Sequence, residues 1–219
     1  MSNPAIVVAL LVGIAVWFAV ASRLTAKPWE NRGEEGDVGA IRFSPARIGL
    51  WVFMAVVTSL FSLFLTAYSM RMHHSVGWCH LTLPRIVWLN TVLLAGASVA
   101  IQLASSAAAN GRRNFAQAAL LVAGVLSIGF LAGQVAAWQA IGPGLYFVQG
   151  SPAIAFFYVL TIVHGLHLLG GLYVLGRAAH RFAGGAQLID LYQSVSLCAT
   201  YWHFLLLVWL AVFGMLLLA

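Results

Sequence analysis

Residues 191–219 read LYQSVSLCATYWHFLLLVWLAVFGMLLLA, from Leu191 to Ala219. The stretch holds no Lys, Arg, Asp or Glu, and beyond Thr200 its one strongly polar side chain is His203. About 20 consecutive apolar residues span the hydrocarbon core of a bilayer as a helix. A strand of a membrane barrel is about 10 residues long and alternates in polarity, and this stretch does neither. Within lipid a helix satisfies its own backbone hydrogen bonds. The stretch therefore reads as a transmembrane helix.

Five further segments without Lys, Arg, Asp or Glu precede it, at about Pro4–Ser22, Ile48–Met70, Ile86–Ala109, Phe115–Ile141 and Ala153–Gly176. Of the 219 residues, 62% are hydrophobic and 7% charged. A soluble domain runs near 45–50% apolar and about 25% charged, so too few charges are present to coat a soluble surface. The expectation is an all-α integral membrane protein with six transmembrane helices. The long polar stretch after the first segment divides the chain into residues 1–46, one helix and a loop, and residues 47–219, a five-helix bundle. The net charge of +6 comes from 11 basic and 5 acidic residues, and no basic run exceeds Arg112-Arg113. That scatter argues against nucleic acid and for a topology signal.

The loops carry that signal. Arg23, Lys27, Arg32, Arg42 and Arg47 follow the first segment, Arg112 and Arg113 the third, and Arg177 and Arg181 the fifth. Only Arg71 and Arg85 lie in the even-numbered loops. The positive-inside rule then places the odd loops in the cytoplasm and both termini outside. Ala19-Val20-Ala21 resembles a signal-peptidase site, but no positive charge precedes the run, so a retained helix is expected.

Several residues are candidates for chemistry. Histidines inside membrane helices are functional candidates by default, and three qualify: His164, His167 and His203. At 1.5 Å per residue, His164 and His203 each lie about 15 Å from their helix ends, near mid-membrane. Interhelical hydrogen bonding, ligation of haem or a metal, and a transport role are the open readings. His164 and His167 are three apart on one helix face, which does not suit two stacked haems. His73, His74, Cys79 and His80 cluster in one outer loop, where the choice is an interfacial loop or a copper or zinc site. Cys79 and Cys198 form no framework and are expected to be free thiols. No acidic residue lies in any apolar segment, so the carboxylate relays of proton-coupled transporters are lacking. No phosphate-binding glycine loop, G-x-S-x-G or H-E-x-x-H occurs. The tryptophans partly mark helix ends, such as Trp29 and Trp78, as an aromatic belt does.

A family resemblance then emerges. Tyr201-Trp202-His203-Phe204-Leu205-Leu206-Leu207-Val208-Trp209-Leu210 resembles the YWHFVDVVWL pattern in the last helix of subunit III of haem-copper terminal oxidases, the cytochrome c and quinol oxidase subunit III family. His164-Gly165-Leu166-His167 followed by Gly170-Gly171 is similar to its F-H-G-L-H-V-x-x-G. Asn90-Thr91-Val92-Leu93-Leu94 with Ala97-Ser98 resembles its N-T-x-L-L-x-S-S, and Arg47-Ile48-Gly49-Leu50-Trp51-Val52-Phe53 its R-x-G entry to a helix. Pro28-Trp29 resembles its P-W-W-R. The matches run in family order over about residues 47–219.

The resemblance implies a non-catalytic membrane subunit of a respiratory oxidase, multi-pass in a bacterial cytoplasmic (inner) membrane. It implies packing against catalytic subunit I, with subunit II and other chains, and support of oxygen reduction in aerobic electron transport. Haem and copper would sit in those partner subunits and none in this chain, which would instead bind phospholipid in a cleft between its first helix and the rest. Arg47 is the candidate lipid-phosphate contact, since a guanidinium binds phosphate in a bidentate manner; snorkelling to the interface is the competing reading. Asn90, Gln134, His164, His167 and His203 are the candidate intramembrane polar residues. The sequence departs from the family at three carboxylates. Val56 and Val57 stand at its S-E pair, Ala137 at the Glu of its Q-x-x-E-W (here Gln134 to Trp138), and Leu206 at the Asp of WHFVD. Other readings are an accessory subunit of nitric-oxide reduction in the same superfamily, a bis-His haem membrane protein, or a transporter.

Overall fold

The computed structural model describes residues 45–74, 84–142, 152–183 and 188–217. These fall in a compact unit of residues 43–219 and form five helices: α1 (Pro45–His74), α2 (Ile86–Ala109), α3 (Arg113–Ile141), α4 (Pro152–Ala183) and α5 (Leu188–Leu217). All five are long and apolar enough to cross a membrane. The architecture is thus an all-α membrane protein with five spans among the described residues. The sixth expected span, Pro4–Ser22, lies outside them.

The helices share one packing rhythm. Along α5 the buried residues include Val195, Cys198, Trp202, Leu205, Trp209, Val212 and Leu216, a series separated alternately by three and four. Along α2 they include Val87, Asn90, Leu94, Ala97, Ile101, Ala104 and Ala108, with the same alternation. In α3 the positions include Ala116, Leu120, Ala123, Ser127, Phe130, Gln134, Ala137 and Ile141. A seam repeating every 3.5 residues packs neighbouring helices at shallow left-handed crossings. Small residues dominate the seams of α2 and α3, so those two backbones approach closely.

A three-residue turn makes α2 and α3 an antiparallel hairpin. The Arg112 N–H donates to the Ala107 carbonyl at 2.9 Å and the Gly111 N–H to the Ala108 carbonyl at 3.2 Å. Gly111 has φ +72°. This pair of bonds with a left-handed glycine is the Schellman helix stop. α5 packs against α1, α2 and α4, and α4 also packs against α3 and α1. α1 is the least buried of the five.

The helices run past the apolar segments at several ends. α4 continues to Ala183 and so carries Arg177 and Arg181, expected in a loop, together with His180. The cause is simple: Arg and Ala favour the helix, and long cationic side chains reach the interface from a helix end.

Candidate functional site

The three intramembrane histidines meet three different fates. His164, on α4, is completely buried. Its ring lies among Phe130 of α3, Phe61 of α1 and Trp209 of α5, with centroids 5.6, 6.3 and 5.2 Å away. The two phenylalanines meet it edge-on, at 72° and 73°. Among the described residues neither ring nitrogen has a hydrogen-bond partner. An aromatic cage stands where a polar partner was expected.

His167, one turn further along α4, is half-buried. Its Nδ1 pairs with the Val163 carbonyl of its own helix at 2.7 Å. Phe53 and Phe61 of α1 flank its ring at 6.1 and 5.8 Å. The link to α5 comes from its backbone instead: the Tyr201 hydroxyl donates to the His167 carbonyl at 3.1 Å.

His203, on α5, faces outward and reaches α2. Its Nδ1 lies 2.5 Å from the Ser98 hydroxyl and its Nε2 3.1 Å from Gln102 Oε1. An amide oxygen only accepts, so Nε2 carries the proton and Nδ1 accepts from the serine. Of the three histidines, only His203 makes an interhelical side-chain bond among the described residues, and it joins the YWHF helix to α2 rather than to the HGLH helix. α5 is bonded by His203 to α2, because the 3.5-residue seam turns Trp202 and Leu205 inward and His203 away from α4.

Asn90 and Gln134 do come together. The Asn90 Nδ2 amide donates to Gln134 Oε1 at 2.9 Å across the α2–α3 contact. Both residues are buried, and Asn90 Oδ1 and Gln134 Nε2 find no partner among the described residues. Glycine makes the approach possible, since a Cβ at Gly133 would collide with the Asn90 amide.

A second polar system escaped the sequence reading. The Trp202 indole donates to Ser127 Oγ at 3.0 Å, Trp209 to Thr91 Oγ1 at 3.0 Å, and Trp138 to Thr161 Oγ1 at 2.9 Å. Each hydroxyl in turn donates to the carbonyl four residues back, at Ala123, Val87 and Phe157. A hydroxyl both donates and accepts while an indole only donates, so each pair is satisfied without charge. Three indole–hydroxyl–carbonyl chains thus join α5 to α3, α5 to α2, and α3 to α4. The reading of the tryptophans as a belt missed them. The available signal was the position of Trp202 and Trp209 seven residues apart on one helix face.

The three carboxylate positions of the resembled family are apolar here. Val57 and Ala137 are buried and Leu206 half-buried. Arg47 is exposed in the first turn of α1. Beside it, Ala46, Leu50 and Phe53 line one wall of a groove of about 530 Å³, closed by His167 and Gly171 of α4 and Cys198 and Tyr201 of α5. Cys198 is a buried free thiol. Cys79 and His80, with the side chains of His73 and His74, lie outside the described residues. Among those described, no three His, Cys, Asp or Glu side chains converge as metal ligands do. The bis-His haem reading fits poorly: one His203 nitrogen holds Ser98 and the other Gln102, and aromatic rings enclose His164.

Residues 43–218 match the family described as cytochrome c oxidase subunit III. The chain belongs to that family. The relatives include the cytochrome bo(3) ubiquinol oxidase subunit 3 of Pseudomonas aeruginosa, 26% identical over 170 residues, which covers 75% of this chain and 80% of the relative. The cytochrome c oxidase subunit 3 of Synechocystis is 26% identical over 218 residues, 96% of this chain and 90% of the relative. That of Thermostichus vulcanus is 26% identical over 176 residues, 77% and 85%. The chain is thus similar to oxidase third subunits across nearly its whole length. The family match begins just before α1 and covers all five described helices of this subunit III bundle.

Proposed function

We propose that this chain is the non-catalytic third subunit of a haem-copper respiratory oxidase, seated in a bacterial cytoplasmic membrane beside catalytic subunit I. Subunit II and the other chains complete the assembly. Haem and copper lie in those partners, and this chain supports oxygen reduction by packing and by holding lipid. The observation that carries the reading is the subunit III match over residues 43–218. It is supported by an interior that joins its helices through neutral indole, hydroxyl and amide pairs. Such pairs suit a packing subunit and supply no electron carrier.

The first segment, Pro4–Ser22, is the sixth span in this reading, with both termini outside. The cleft expected beside the first segment lies outside the described residues; among those described, the groove between α1, α4 and α5 is the place for phospholipid, with one acyl chain along Phe53 and Gly171 and its phosphate at Arg47. A planar guanidinium offers two parallel donors to phosphate oxygens.

The test is purification of the tagged full chain from native membranes in mild detergent. Haem-bearing and copper-bearing chains are expected in stoichiometric amount, and their identity separates oxygen reduction from nitric-oxide reduction. The chain alone is expected to show no Soret band. A Soret band on the isolated chain overturns the reading. Arg47→Leu should lower the phospholipid retained by the complex; unchanged retention removes Arg47 from the lipid site.

A further inference from the structure

Gly176 opens a hollow on the outer face of α4. A Cβ placed there meets nothing within 4 Å. Leu172, Tyr173, Arg177, His180 and Arg181 border the space, which measures about 560 Å³. It is separate from the groove at Arg47. Gly176 lies five residues from the groove residue Gly171, a rotation of about 140° around the helix.

Two surfaces meet at this hollow. The first is cationic. Arg177 and Arg181 stand one turn apart, with about 5–6 Å between their Cβ atoms, and His180 lies between them in sequence. All three are exposed, and none holds an ion pair or hydrogen bond among the described residues. Like charges at this spacing destabilise a helix. The helix dipole favours cations within the last turn. That covers His180 and Arg181 and leaves Arg177 unexplained. The second surface is apolar. Exposed Ile162, Leu166, Leu169 and Tyr173 follow one another at intervals of four, three and four, a track along one helix face. From Ile162 to Tyr173 it runs about 16 Å, one leaflet of a core about 30 Å thick. It ends where the arginines begin.

We propose that this hollow binds a phospholipid of net negative charge, its phosphate between Arg177 and Arg181 and one acyl chain along Tyr173, Leu169 and Leu166. The site needs only a membrane-spanning α4 and stands apart from the oxidase reading. Continuity of track and cations selects a lipid, because a soluble phosphate would leave the track unused. Charge selects the class. A phosphodiester offers oxygens to two guanidinium forks, and each cation near an anionic leaflet adds to the attraction. A zwitterionic head brings its own ammonium to a hollow that already holds two cations. A glycerol head instead brings hydroxyls, which can donate to or accept from the His180 imidazole. Tyr173 sits at the boundary, where a phenol has one apolar side and one wet end. Gly176 supplies the room.

The test reconstitutes the full chain, with the chains that co-purify with it, in vesicles of phosphatidylcholine and phosphatidylglycerol in equal amounts. A benzophenone amino acid replaces Leu169, or Leu121 on the exposed face of α3 as the comparison. Mass spectrometry reads what irradiation captures. At Leu169 phosphatidylglycerol is expected well above its share of the vesicle, and at Leu121 at that share. Arg177→Gln should lower the phosphatidylglycerol-to-phosphatidylcholine ratio at Leu169 about fivefold, the effect of one surface cation on an anionic lipid. Arg177→Gln with Arg181→Gln should bring it to the Leu121 value. Gly176→Leu fills the hollow, keeps every charge and should lower the ratio as well. Equal ratios at Leu169 and Leu121 in the parent chain overturn the site, as does an unchanged ratio in the double variant or in Gly176→Leu. Capture of a protein chain at Leu169 overturns it too, since the face is then an interface. Displacement of phosphatidylglycerol by inorganic phosphate at constant ionic strength assigns the cations to a soluble anion and overturns the lipid.

Discussion

Asn90 of α2 fills the space left by Gly133 of α3, and there its amide meets Gln134. The close approach of two backbones and the buried amide pair are one feature: neither exists without the missing side chain. Gly133→Ala should therefore force α2 outward or turn the Asn90 amide away. An overpacked core of this kind costs about 1–3 kcal/mol. Unfolding in mixed micelles measures the cost. Asn90→Ala in the same chain should recover part of it. A Gly133→Ala chain as stable as the parent would show that the α2–α3 contact yields freely.

Ser127 sits between the Trp202 indole and the Ala123 carbonyl. Ser127→Ala leaves a buried indole N–H with nothing to bond, at a cost of about 1–3 kcal/mol. Ser127→Thr keeps the hydroxyl and should restore most of the loss. The measurement is again unfolding in micelles, and equal loss in both variants would deny the indole bond its role.

How far the sequence discloses this structure depends on the kind of information needed. Lack of charge over a membrane's thickness marks each described span, and α2 runs over the same residues, Ile86–Ala109, as its apolar segment. Ends are harder, because the residues of α4 from Arg177 to Arg181 favour the helix as well as the interface. Helix partners are harder still. The depth of His203 follows from counting residues, but whether it meets α2 or α4 depends on the rotation of α5. That rotation is set by the seam of Trp202, Leu205 and Trp209. The seam was present in the sequence as a repeat of three and four. A uniformly apolar helix hides it, since hydrophobicity does not separate the lipid-facing Leu207 from the buried Leu205. The likeness to subunit III named Asn90, Gln134 and the histidines as notable without showing what they touch.

His164 is expected to be dispensable for stability. Its ring is fully buried, both nitrogens lack a partner among the described residues, and its contacts are those of an aromatic ring. His164→Phe keeps the edge-on packing and removes two unpaired polar atoms. An unmade buried hydrogen bond costs about 1–3 kcal/mol, so the variant should be as stable as the parent or more so. A clear loss of stability in micelles would reveal a bonded partner, such as an internal water.

The proposed orientation is open to direct measurement. Nine of the 11 basic residues lie in the odd-numbered loops, which predicts that Arg112 faces the cytoplasm and the C-terminus faces out. Reporters active in a single compartment, fused after Arg112 and after Ala219, should report opposite sides. An external signal at Arg112 would reverse the assignment.

Val57 bears on the missing carboxylates. It lies one turn beyond Phe53 and one turn before Phe61 on the buried face of α1, and both of those rings pack against His167. Phe61 also touches His164. Position 57 thus stands, by helix geometry, between two residues whose rings meet the histidines. Glutamate there would be buried in lipid-like surroundings and costly alone, yet a histidine nitrogen without a partner stands on that side. Val57→Glu should thus destabilise the bundle, and His164→Phe in the same chain should make the loss larger than the sum of the single effects. Side chains in contact show such coupling at about 0.5–3 kcal/mol. The double-mutant cycle in micelles reads it directly. Strict additivity would mean that the carboxylate turns to His167, to lipid or to solvent, and that His164 stays isolated within its aromatic cage.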